Sequence, residues 1–218
     1  MTHHEHEPLA GKRAAVMIGP LFEDMEAAYP YYRLQEAGAT VELIGIEGGT
    51  SLKGKQGVEL TTDQAAADLV ADDLDLLVIA GGFGPDKLRT DDGVKELVRG
   101  MHEAGKPIAF ICHAGWVPVS AGIIEGRRVT SVPAIADDLR NAGAEWEDSE
   151  VVVDGNLISS RRPPDLPAFM RTLISVAVAE AEPVTAGCGG RAPPAGGARR
   201  PPSGGWRPRA PAARRRTR

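Results

Sequence analysis

A cysteine and a histidine stand side by side in PIAFICHAGW, residues 107 to 116, where an apolar run ends at Ile111 and a short helix is predicted to follow. A nucleophile on such a strand-turn-helix elbow is presented at the edge of a sheet, and the backbone N–H groups around it can hold an oxyanion. The N-terminus of the following helix favours a thiolate. Two readings of Cys112 are open: an attacking sulfur with His113 as its base, or a buried inert thiol closing a core strand. Gly81 and Gly82 end another apolar run, Leu74 to Ala80, and permit a sharp turn that brings a backbone N–H close to a bound group. Together these stretches predict an oxyanion hole made by the Gly82 and His113 N–H groups. Glu23, just past the first apolar run, is expected at the same edge. A carboxylate in contact with a thiolate cannot ionise cheaply beside it, so the two would share one proton.

These residues need a scaffold that ends several strands at one edge. Ala14 to Gly19, Val41 to Ile46, Leu74 to Ala80 and Pro107 to Ile111 are continuous apolar runs, the pattern of a parallel sheet covered on both faces. Helical spacing lies between them. Met25, Ala28, Tyr32 and Ala37 are read as the apolar stripe of a first helix, bent at Pro30, and Val94, Leu97, Val98 and Met101 as that of a later one. Alternating strands and helices predict an α/β domain whose ligands bind beyond the carboxyl ends of the strands, at loops Pro20 to Asp24, Gly81 to Asp86 and Cys112 to Gly115. Asp154-Gly155-Asn156 predicts a hairpin within VVVDGNLISS, and a closing helix is expected from Leu166 to about Ala179.

Charge divides the chain. The 218 residues carry a net charge of −5, but all 30 acidic residues lie at or before Glu182, against 16 basic ones, so the body is at −14 and the remainder, with nine arginines, at +9. From Pro183 onward 14 of 36 residues are Gly or Pro, with little apolar surface to bury, so residues 183–218 are expected to be a disordered tail. Its charge suits nucleic acid or anionic lipid, or it is a solvated extension with neither role. Residues 1–12 are expected to be disordered as well; His3, His4 and His6 there lack the rigid frame a metal site needs. Residues 13–182 form the expected folded domain. No apolar run is long enough for a membrane span or a secretory leader, so the expected address is the cytoplasm, where Cys112 and Cys188 stay reduced.

FEDMEAAYPYYRLQEAG, AGGFGPDKLR, ICHAGW, RRVTSVPAIADDLRNAGAEWED and VVVDGNLISSRRPPDLPAFMR, in this order, resemble the PfpI/ThiJ superfamily and its branch of intracellular proteases and general stress proteins, over about residues 13 to 176. The resemblance implies a flavodoxin-like α/β three-layer sandwich with a mostly parallel central sheet and a cysteine on a strained elbow near a homo-oligomer interface, in a dimer or hexamer. It assigns Cys112 as nucleophile, His113 as its neighbour and Glu23 as the acid bonded to the thiol. Two departures stand out. Asp86 occupies the place of a glutamate that orients the histidine from a neighbouring subunit, one methylene shorter, and Ala114-Gly115-Trp116 replaces the usual Gly-Pro. Trp116 then lies beside the substrate or in ordinary packing. Three functions follow: attack on small carbonyls such as methylglyoxal or glycated proteins, peptide hydrolysis, and redox sensing through Cys112. The first ranks highest because it does not need the weakened link from His113 to Asp86. None calls for a cofactor or a metal.

Overall fold

Strands made of unbroken apolar residues must be covered on both sides, and β1 (Arg13–Met17) is fully buried after its first residue. The computed structural model describes residues 7–179 of the chain. It places β1 with β2 (Thr40–Gly45), β5 (Gln64–Ala65), β6 (Leu76–Ile79), β7 (Ile108–Ile111), β10 (Val151–Asp154) and β11 (Leu157–Ser160) in a seven-stranded sheet. The order is β10-β11-β7-β6-β1-β2-β5, parallel throughout except for the β10–β11 hairpin. Two small ribbons stand apart from it, β3 (Ser51–Lys53) with β4 (Glu59–Thr61), and β8 (Arg128–Val129) with β9 (Glu145–Trp146).

Side chains alternate between the faces of each strand. Ala15 and Met17 join one apolar layer with Val94, Leu97, Val98 and Met101 of α3 (Asp92–Glu103) and Val117 and Ala121 of α4 (Trp116–Ala121). Ala14 and Val16 join the other, with Leu34 of α1 (Asp24–Glu36) and Phe169, Met170 and Leu173 of α6 (Leu166–Ala179). The result is the α/β domain expected from the alternating pattern, in the three-layer sandwich that the resemblance implies. Asp91 accepts a hydrogen bond from the Val94 N–H at 2.9 Å and fixes the start of α3.

Several expectations need correction. The buried side of α1 is Glu26, Ala27, Pro30 and Leu34, whereas Met25 and Tyr32 are more than half exposed. Of the stripe read from Met25, Ala28, Tyr32 and Ala37, only Ala37, at the end of the helix, is buried, so the stripe is largely the wrong face. The ordered domain also starts earlier than residue 13. Leu9 is fully buried, and its N–H donates to Ala37 O at 2.7 Å, which staples residues 7–12 to the end of α1. The short helix expected after Cys112 opens as a 3₁₀ turn, Cys112–Gly115, and becomes α-helical only from Trp116, as the six-residue α4. The expectations for residues 1–6, Cys188 and the basic tail lie outside the described residues.

Candidate active site

The carboxyl ends of β1, β6 and β7 meet at Cys112. Its φ of 63° is a left-handed conformation that costs a non-glycine residue about 1–3 kcal/mol, so the surrounding packing must hold it. Gly81 makes the close approach possible: a Cβ there would lie 2.7 Å from Cys112 Cβ and 2.9 Å from Ile111 O, and would overlap Glu26 Oε2. Gly82, at φ 81°, turns its N–H toward the sulfur, and the His113 N–H points there as well. The two N–H groups assigned to an oxyanion hole from sequence thus lie beside Sγ, where they favour the thiolate. His113 Nδ1 is 3.3 Å from the same sulfur. Burial first, and the charge of Lys55 second, hold the imidazole below its ordinary pKa, so it is neutral at neutral pH.

The acid beside the thiol is Glu26, not Glu23. Glu26 is fully buried and its Oε2 accepts from the Gly81 N–H at 3.0 Å. Oε1 has no hydrogen-bond partner among the described residues, and the carboxyl interacts with the Cys112 thiol. Burial and then repulsion from Glu23 push the Glu26 carboxyl up to about 8. Burial, followed by the negative charge of Glu26, also pushes the Cys112 thiol up. The second of these causes acts only while Glu26 is ionised. With a proton on Glu26 the repulsion is gone and an O–H faces the sulfur, so the pair gives up one proton as a unit. The carboxyl expected of Glu23 at the thiol is supplied by Glu26, one helical turn later. Glu23 precedes α1 and instead pairs with Lys55 Nζ at 2.8 Å.

Asp86 is not brought to His113 within the chain. It is exposed on α2 (Gly84–Leu88) and, among the described residues, makes no side-chain hydrogen bond or ion pair. Trp116 does reach the site: its ring centroid is 5.4 Å from that of His113, and its Nε1 donates to Asp138 Oδ2 at 2.8 Å. The indole therefore buttresses the imidazole. The sequence reading missed both Glu26, which lies on the face of α1 that the predicted stripe turned outward, and Lys55, which lies on the unanticipated β3–β4 hairpin. That hairpin is held by Asp24, whose carboxylate accepts from the Gln56 and Val58 N–H groups, each at 2.8 Å.

Residues 12–176 match the model of the DJ-1/PfpI family. The chain belongs to this family. It is 44% identical over 155 residues to a protein of Pyrococcus furiosus named Deglycase PfpI, covering 71% of this chain and 93% of that one. It is 39% identical over 168 residues to General stress protein 18 of Bacillus subtilis, covering 76% and 98%. Among solved structures, a two-domain protein of Anabaena variabilis with DJ-1/ThiJ/PfpI-like and ferritin-like domains superposes with a TM-score of 0.74 at 36% identity, over 76% of this chain and 49% of that one. The family resemblance read from the motifs and the sandwich fold are both shown by these matches.

Proposed function

We propose that this family member is a stress-related cysteine enzyme that uses Cys112 to attack small reactive carbonyls of the methylglyoxal type, free or as adducts on proteins. The observation that carries this reading is the placement of Sγ between two backbone N–H donors and against a carboxyl that stays protonated near neutral pH. In the addition step Sγ bonds to the aldehyde carbon and the C=O π pair moves to oxygen, which the Gly82 and His113 N–H groups hold and a proton from Glu26 neutralises. Neutral His113 is suited to take the proton from the former aldehyde carbon, the hydroxyl proton on that carbon passes to the ketone oxygen, and a proton returns to the adjacent carbon. The first carbon is oxidised and the second reduced, leaving a lactate thioester. Water then cleaves the S–C bond, releases lactate and restores the thiol.

The name of the Pyrococcus furiosus relative, a deglycase, and that of the Bacillus subtilis stress protein support this reading. Peptide hydrolysis ranks below it. An amine leaves only when protonated, whereas His113 is held neutral and has no carboxylate partner within the described residues. A homo-oligomer belongs to the same proposal: Leu21, Met25 and Phe83 are each at least half exposed beside the site, an apolar rim suited to a second copy that could bring Asp86 near His113. Among the described residues no helix is long and apolar enough to cross a membrane, and the cytoplasmic address remains part of the proposal. The test is to incubate the full chain with methylglyoxal, a methylglyoxal-treated arginine peptide and casein. Lactate from the first two with intact casein is expected; casein cleavage without lactate would make the chain a peptidase instead.

A further inference from the structure

Three acidic groups crowd the mouth of this site, namely Glu23, Glu26 and the Cys112 thiol, and one cation is placed among them. Lys55 sits in the turn of the β3–β4 hairpin, and its position is fixed from three directions. Its backbone N–H donates to Phe22 O at 2.9 Å. The hairpin turn rests on the buried Asp24, so close that a Cβ on Gly54 would lie 2.7 Å from that carboxylate. The ammonium lies 2.8 Å from Glu23 Oε2 and 5.6 Å from the centre of the Phe83 ring. Phe83 in turn is tied to the loop before Glu23, its N–H donating to Leu21 O at 2.9 Å. A lysine on a free surface has rotamer freedom to lose; here the backbone, the ring and the ion pair have already taken it.

We propose that Lys55 is a positioning residue of this site: the counter-cation that offsets the charge released when the Cys112–Glu26 pair ionises, held in place by Glu23 and Phe83. The proposal rests on Cys112 being the reactive group, but not on which carbonyl it attacks. The groups that interact with Lys55 by charge are Glu23, Asp24 and Glu26 at the start of α1, and Cys112 and His113 on the elbow. On its own hairpin, Lys53 and Glu59 are exposed. A cation near a thiol favours the thiolate, and a nearby carboxylate opposes it. The two members of the ion pair therefore act on the Cys112–Glu26 pair with opposite signs, which a merely structural pair would not do.

The experiment is a thiolate titration of the full chain by ultraviolet absorbance and by alkylation rate against pH, in a Cys188→Ser background so that Cys112 alone is read. Lys55→Met is expected to move the thiolate midpoint up by about one pH unit, the lower end of the range for a neighbouring charge, because Lys55 is partly exposed. Glu23→Gln is expected to move it down, and Lys55→Arg to leave it near the parent value. Melting curves of all three report whether the hairpin stays folded. The proposal is overturned if Lys55→Met leaves the midpoint unchanged, if the Met and Gln variants shift it the same way, or if Lys55→Arg shifts it as far as Met does. No substrate is present, so failure of the carbonyl reading would leave these results standing.

Discussion

Replacing Glu26 with leucine separates two roles that a carboxyl beside a thiol can play. If Glu26 acted only as a negative charge, its removal would relieve repulsion and the thiolate would form at lower pH. If it acts as the protonated partner of the sulfur, its removal leaves a buried thiolate short of a donor, and the thiolate forms at higher pH. The site favours the second role, because burial and Glu23 keep Glu26 protonated up to about 8. A hydrogen bond to a charged group is worth about 1.5–3 kcal/mol. At 1.36 kcal/mol per pKa unit, that raises the midpoint in Glu26→Leu by about one to two units. Glu26→Gln, which keeps an N–H donor and an acceptor for the Gly81 N–H, should titrate close to the parent. Thiolate absorbance and alkylation rate, read on the Cys188→Ser background, measure the effect. A lowered midpoint in the leucine variant would refute the shared-proton reasoning, and an unchanged one would remove Glu26 from the site.

Other perturbations follow from the same contacts. Glu26 has an ordinary carboxyl pKa of 4.5 when unfolded and about 8 when folded, so its neutral form favours folding. That contribution is complete below about pH 4.5 and is lost as pH rises through 8. The stability difference between the parent and Glu26→Gln, from urea unfolding, should thus fall by on the order of 5 kcal/mol across that window; a flat difference would show that burial does not perturb Glu26. Gly81→Ala should abolish alkylation of Cys112 at neutral pH, since a Cβ collides with both Glu26 and Cys112, and retention of the parent rate would mean the elbow is looser than its geometry implies. Asp24→Asn offers one acceptor oxygen to the two hairpin N–H groups in place of two, and should cost about 1–3 kcal/mol. Faster hydrogen exchange at Gln56 and Val58 should accompany it, and unchanged exchange would argue against Asp24 as the anchor.

The strands, the sheet class and the elbow were legible because unbroken apolar runs and Gly-rich ends have few other physical outcomes. Cys112, Gly82 and His113 came together for that reason, each following directly on a strand whose end the pattern locates. Glu26 was not legible, because the choice of buried face on α1 turned on hydrophobicity. Met25 and Tyr32 are the large apolar side chains, yet the helix buries Glu26, Ala27, Pro30 and Leu34. A functional carboxyl inside a core violates the pattern that sequence reading relies on. Lys55 was missed for a different reason. It depends on a short ribbon whose position is fixed by Asp24 contacts 32 and 34 residues away in sequence, at Gln56 and Val58.

The central claim is that Cys112 performs the chemistry on small carbonyls. Lactate released from methylglyoxal by the full chain, set against the same chain carrying Cys112→Ser, tests it most directly. The account predicts lactate formation that is lost in the serine variant while its melting temperature stays near the parent value. Equal lactate release from both proteins, or none from either, would contradict it.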